Sequence, residues 1–508
     1  MLRSLIAREL IRRHGCGAMT GKIKPVHIAN GLFREILGSA GKTANLKQML
    51  IYTAAGSSEQ ERQAAMESLL EKAGESWGRL ADDALTKEGA LGRQVLPMLR
   101  TLLGTDGAVF GKSIDQSSLT TPTGLLVTGD PSDEHAGALL KALWKVPSPH
   151  SESGQSLLDL LESIIDPQRD LSIADDLTVL FSPLVEEVKT RNLDAAALEC
   201  EDMRQFRAQQ ENYDSVLFEL RKAADLLCVY EQAVRPNPIA TLERIICLGS
   251  LTIFFYMATR GRTWAGLPAR PLLLQAIGKF ESPIARASEQ SVQELIVSDS
   301  KRYLIALLGA LVEPLGSQPG EWLNLWKRGD LKLRLIDHYN LSPKPKDIQE
   351  MNDFDWLVRQ TDDDIEPDDL LGEIVDKIKE KDSLEDYLRL LGLRSGLLYP
   401  QQKNLRKRVY PEDRVIEVLV AGTTDVVNEM IEYQDFLERL WRRFGIVTGG
   451  LPEDEYRLTD AGVQRVSSKY LRENSEAFLK RLEEQGLAKR MADSKALVGL
   501  METSRGSL

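Results

Sequence analysis

Two stretches end in the triplet that closes a phosphate-binding loop: Gly38-Ser39-Ala40-Gly41-Lys42-Thr43 and Gly107-Ala108-Val109-Phe110-Gly111-Lys112-Ser113. Such a loop needs four residues between its first glycine and the Gly-Lys pair, so that successive backbone N–H groups wrap the phosphates. The positions that should hold that glycine are Ile36 and Asp106, and the residues before each read as helix rather than as the required strand. Neither stretch is expected to bind a nucleotide, and no cofactor is expected. The acidic run Asp362, Asp363, Asp364, Glu366, Asp368 and Asp369 has carboxylates for a hard cation, but lacks the glycine turn and terminal glutamate of a calcium loop. It reads as a solvated run leading into a helix, whose dipole favours carboxylates at that end. The five histidines (His14, His27, His135, His150, His338) share no metal-ligand spacing. The four cysteines (Cys16, Cys200, Cys228, Cys247) form no C-x-x-C pair and read as reduced structural thiols. No catalytic or metal-binding residue is assigned.

Cationic groups are the stronger signal. Arg439, Arg442 and Arg443 stand at i, i+3 and i+4, so on a helix they share one face, with Leu440 and Phe444 on the adjoining one. Guanidinium groups so placed suit phosphates and guanine edges, or a protein partner. A second basic run holds Arg406, Lys407 and Arg408, just after Lys403 and before Tyr410-Pro411. It reads as a loop balancing the acidic run, with electrostatic contact to nucleic acid as the alternative. These six residues are the candidate contacts to nucleic acid or a partner protein.

The elements that must position the arginines come next. Short helical patterns over 415–420 and 425–431 precede the stretch Phe436 to Val447, then Gly449-Gly450, Pro452-Glu453-Asp454-Glu455 and Tyr456-Arg457-Leu458-Thr459-Asp460-Ala461-Gly462. Residues 415–465 resemble a winged-helix module. The resemblance implies a third helix carrying the arginines, followed by a hairpin wing. That wing contains Glu453, Asp454 and Glu455, which face phosphate badly and favour docking to protein over DNA. The C-terminal pattern also resembles accessory subunits encoded in bacterial DNA-defence islands beside HerA-type translocase ATPases. The residues that carry this likeness are Tyr410-Pro411-Glu412-Asp413-Arg414, the segment from Trp441 to Val447, and Asn474-Ser475-Glu476-Ala477-Phe478. It implies other protein subunits, a translocase-type ATPase among them, as partners.

Along the whole chain, 508 residues with 43% hydrophobic, 28% charged and 6% aromatic content point to a folded, mainly α, multi-domain protein with one small α+β winged-helix module. The expected divisions are a helical domain over 1–104, a Gly/Ser/Thr/Pro-rich connecting region over 105–149, a central helical domain over 150–342 and a C-terminal domain over 343–508. Met203, Phe206, Tyr213, Leu217, Leu220, Ala224 and Leu227 predict a long helix within 192–234. The apolar stretch 245–258 is too short to span a bilayer and predicts a buried core helix. The first thirteen residues have cations without a continuous apolar segment, so a plain first helix is expected rather than a secretory leader. With a net charge of −12, the molecule repels nucleic acid and anionic membranes at long range. The reading is a cytoplasmic, non-catalytic interaction subunit of a prokaryotic DNA-processing or antiviral-defence complex, with DNA contact local and no membrane. Two alternatives stay open: an enzyme with an unrecognised site near 104–130, and a winged-helix DNA-binding regulator.

Overall fold

The computed structural model describes residues 1–41, 48, 51, 57–77, 127, 129, 131–146, 156–165, 187–191, 193, 197–208, 216–233, 238–264, 269–278, 281–361, 365–380, 383–402, 405–424, 430–491 and 495–499. Of these, 69% are helical, as the composition predicts. Helix α1 (Leu2–His14) stops at Gly15, whose φ of 78° returns its N–H to the Ile11 carbonyl. Helix α2 (Pro25–Leu37) has proline in its first turn and stops in the same way at Gly38. The first phosphate-loop look-alike then enters β1 (Ser39–Gly41), antiparallel to β2 (Glu187–Lys189). The second lies outside the described residues. Before α3 (Glu59–Trp77), Ser58 and Glu61 exchange bonds in a capping box, the Ser58 amide donating to the Glu61 carboxylate at 2.8 Å.

The stretch expected to be a connecting region holds, within its described part, a buried helix. Helix α4 (Ala136–Lys145) buries Leu139, Leu140, Leu143 and Trp144. A Cβ at Gly137 would sit 2.1 Å from the Leu32 amide nitrogen and 2.3 Å from the Gly31 carbonyl carbon. The glycines that read as loop punctuation instead let two helix backbones touch. Buried Asp133 seals the contact, accepting from Arg34 and from the Gly137 amide, each at 3.1 Å.

Helices α5 (Leu157–Ile165), α6 (Glu201–Ala208) and α7 (Val216–Ala233) follow. The predicted seam residues Met203, Phe206, Leu217, Leu220, Ala224 and Leu227 are all buried, while Tyr213 lies outside the described residues. Helix α8 (Pro238–Trp264) is the centre of the fold, with every residue from Leu251 to Ala258 buried. Its span Ala240–Thr259 has the length and apolarity of a membrane helix, yet 83% of it is buried inside the fold, which explains its all-round hydrophobicity. Around it are α2, α4, α7 and three later helices: α10 (Asp299–Val312), α15 (Leu384–Arg394) and α16 (Asp413–Ala421).

Between these lie β3 (Leu272–Leu273) and α9 (Pro283–Val292), which continues through a π-helical stretch, Gln293–Ser298, into α10. Helices α11 (Glu321–Arg328), α12 (Leu331–Tyr339), α13 (Pro345–Gln360) and α14 (Pro367–Lys379) come next, with Asp368 and Asp369 in the first turn of α14 as the acidic run predicts. Asp362–Asp364 lie outside the described residues. After α15 come β4 (Leu398–Tyr399) and β5 (Arg408–Val409). After α16 come β6 (Ile431–Glu432), α17 (Tyr433–Phe444), β7 (Ile446–Val447), α18 (Asp454–Asp460), α19 (Ser468–Glu484), β8 (Ala488–Arg490) and β9 (Ala496–Val498). Strands β3 and β7 pair in parallel, β4 and β5 antiparallel.

A single hydrophobic cluster contains Met1, Leu140, Phe254, Leu371, Phe436 and Val498, so one core crosses the expected divisions near 149 and 343. The Met1 ammonium meets Asp347 and Glu350 of α13 at 3.2 and 2.6 Å, and Arg3 donates to the Ile378 carbonyl at 2.9 Å. Composition marks where the chain turns; burial decides where a core ends.

Candidate functional site

Helix α17 places the first cationic group. Phe436, Leu437, Leu440 and Phe444 bury one side of it, and Gly445 at φ 68° ends it. The three arginines do not form one open face. Arg443 is 4% exposed; its Nε donates to the Glu219 carboxylate at 3.1 Å and its Nη1 to the carbonyls of Gly422 and Thr423 at 2.6 and 2.9 Å. Helix α7, which supplies Glu219, covers that side. Arg442 stays outside with a side chain 54% exposed, its Nε 3.3 Å from the same carboxylate. Arg439 is half-buried. Expected as a contact to nucleic acid or a partner, Arg443 is instead a structural ion pair, because a charge taken from water needs its partners inside.

The second run divides similarly. Lys407 is buried and donates to the carbonyls of Pro400 and Gln402. Arg408 is buried in β5, 3.9 Å from Glu289, with its guanidinium 5.9 Å from the centre of the Tyr399 ring. Arg406 alone of the three is exposed. Arg406 and Lys407 lie in the connection between β4 and β5, as expected of a loop, and Arg408 opens β5; Lys407 and Arg408 serve nearby carbonyls and side chains, and Lys403 lies outside the described residues.

Beside Arg443 is a cavity of about 230 Å³ at the junction of α7, α8 and α17. Val216, Phe255, Leu295 and Phe444 give it an apolar floor; Glu219, Arg270 and Arg442 give it a charged wall. Arg270 is fully engaged, clamping both oxygens of Asp299 at 3.0 and 3.1 Å and reaching Glu294 and the Ala461 carbonyl. Lys222, half-buried nearby, has its pKa lowered by burial first and then by Arg443, with Glu219 opposing and Arg442 and Arg439 adding smaller effects. Among the described residues no histidine, cysteine, serine or lysine lines it. Sequence reasoning missed Glu219 and Arg270; the available signal was a carboxylate set into the apolar seam of α7 between Leu217 and Leu220.

The expected wing is not a hairpin. Gly449 and Gly450 run beneath α19: a Cβ at Gly449 would lie 2.6 Å from the Leu471 Cβ, and one at Gly450 would lie 2.3 Å from Ser475 Oγ. Asp454 is buried and accepts from the amides of Gly449 and Leu451 at 2.9 and 3.3 Å, and its residues open α18. Strands β8 and β9 form an antiparallel hairpin, and the three-stranded antiparallel sheet runs β6–β9–β8. Helix α19 packs on α17 through Phe478 and Phe436, whose rings stack at 6.4 Å, and through the Tyr433 hydroxyl, which donates to the Ser475 carbonyl at 2.8 Å. Arg481 ties it to the start of α16 at Asp413, 2.7 Å away. Its outer side presents Lys469, Tyr470, Arg472, Glu473, Glu476 and Lys480.

Most of those charges are internally matched. Lys469 meets Glu473, Lys480 meets Glu484, and Arg490 of β8 meets both Glu476 and Glu483. Lys495, at the start of the last strand, meets Glu432.

One buried group has the look of a proton relay. His14 Nδ1 lies 2.7 Å from Asp202, its Nε2 meets the Tyr303 hydroxyl, and Tyr256 donates to Asp202 at 2.6 Å. His14 is buried, so these groups satisfy one another and pin α1 to α8 and α10. All four cysteines are buried and free; burial pushes Cys16, Cys228 and Cys247 up to about 12 and Cys200 up to about 11, which disfavours the reactive thiolate. Among the described residues no His, Cys, Asp or Glu group could hold a metal. Apart from Val127 and Gly129, the stretch 104–130 lies outside the described residues. No protein-family model, curated protein or solved structure matches the chain.

Proposed function

We propose that this chain is a non-catalytic binding subunit of a prokaryotic multi-protein assembly, and that α16, β6, α17, α19 and the β8–β9 hairpin form a winged-helix module that docks a protein partner. In this reading α19 is the third helix, α17 the second, and β7 with α18 an insertion between them. The strand order β6–β9–β8 carries it, because it is the order a winged helix makes when its hairpin folds back on the first strand. The charge pattern favours protein over DNA. Phosphate recognition needs a local excess of cations, and the cations of α19 and β8 mostly have carboxylates beside them. The resemblance to subunits encoded beside translocase ATPases supplies the partner: a translocase-type ATPase in a DNA-processing or defence complex. Four buried cysteines outside any disulfide support a reducing, cytoplasmic setting.

Replacing Tyr470 by Ala and Arg472 by Glu tests the docking face. Both side chains are exposed, so folding should be unaffected. The variant is expected to lose co-purification with the co-expressed ATPase and to leave any weak DNA retention unchanged. Steeply salt-dependent DNA binding that disappears in the variant while the complex survives would overturn protein docking in favour of the regulator reading.

A further inference from the structure

We propose that the cavity at the junction of α7, α8 and α17 is a binding site for a small amphipathic monocarboxylate, with an aromatic or branched body on the apolar floor and the carboxylate at Arg442. The inference goes beyond the docking function and uses a different face. Size is the first argument. A dry cavity of about 150 Å³ accepts benzene, so the 230 Å³ here has room for such a ring plus a carboxylate.

Chemistry is the second. The floor of Val216, Phe255, Leu295 and Phe444 rewards apolar contact and offers nothing to a sugar or a phosphate chain. Of the three guanidinium groups on the wall, Arg270 and Arg443 already spend their donors on Asp299, Glu294, Glu219 and main-chain carbonyls. Arg442 meets Glu219 through Nε at 3.3 Å, and the terminal nitrogens of a guanidinium form the fork that recognises a carboxylate. Glu219 keeps Arg443 when Arg442 turns to the ligand. One available fork suits one monoanion.

The test is calorimetric titration of the full chain with phenylacetate, benzoate and 3-phenylpropanoate, with phenylacetamide as the uncharged isostere and inorganic phosphate as a bare anion. At least one carboxylate should bind saturably at one site, with the amide and phosphate about tenfold weaker or more, the usual loss when a charge-assisted hydrogen bond or its apolar counterpart is missing. Arg442→Gln should weaken that carboxylate about tenfold without moving the thermal midpoint of the free protein, since the side chain is half in solvent. No saturable binding by any of the three, equal binding of the amide or of phosphate, or an unchanged affinity in Arg442→Gln would each overturn the assignment.

Discussion

Helices α17 and α19 lie against each other, are both amphipathic and both carry several charged residues, yet they use charge in different ways. In α17 an arginine is enclosed: α7 covers it, Glu219 neutralises it and two carbonyls complete its hydrogen bonds. In α19 Lys469, Arg472 and Lys480 stay in water, the lysines pairing along the helix, while Arg481 turns to Asp413 at the start of α16. Helical spacing tells which residues share a face. Whether a neighbouring helix covers that face is a separate fact.

The largest expected effect follows from that difference. Arg443→Ala leaves the Glu219 carboxylate buried beside an exposed Arg442 alone, and should cost about 3–5 kcal/mol, as breaking buried pairs does. Arg472→Ala on α19 should change stability by less than about 0.5 kcal/mol. Urea denaturation of the two variants makes the comparison; equal losses would mean that the enclosure of Arg443 contributes little.

A smaller effect tests the passage of the chain beneath α19. Gly449 has a φ of 89°, and an added Cβ would be 2.7 Å from the Leu471 Cα, so Gly449→Ala should cost about 1–3 kcal/mol through overpacking and backbone strain. Gly278, where a Cβ would meet nothing within 4 Å, is the control, and its replacement by Ala should be near neutral. A tolerated Gly449→Ala would place this segment away from α19.

The smallest effect is a pH dependence. Burial raises the Asp454 pKa above its ordinary 3.8, against the amides of Leu451 and Gly449 and against Arg457. The folded protein then holds this proton to higher pH than the unfolded chain. Its stabilising contribution is complete below 3.8 and fades as pH rises through the folded value. The stability of the native protein minus that of Asp454→Asn should therefore decrease over this window, measured by urea unfolding at stepped pH. A difference that grows with pH would show that Arg457 and the amides hold Asp454 ionised.

Much of the fold was legible. The apolar seam of α7 and the buried span 245–258 follow from local chemistry and helical period, and each appears where those rules put it. The glycines were legible only as breaks. Gly137 and Gly449 looked like loop residues because the sequence cannot distinguish a glycine needed for a turn from one needed for close approach by another element.

By itself, then, the sequence determined the helical content, the central apolar helix, the buried reduced thiols and the candidate arginines, because propensity, periodicity and hydrophobicity act over a few turns of chain. Tertiary structure decided that residues 131–146 contain a core helix, that the hairpin is β8–β9, and that Arg443, Lys407 and Arg408 are buried while Arg442 stands at a cavity. The enclosure of Arg443 depends on Glu219, more than two hundred residues away in the chain. A charge is repelled or enclosed according to what packs against it, and that is set only when the chain closes.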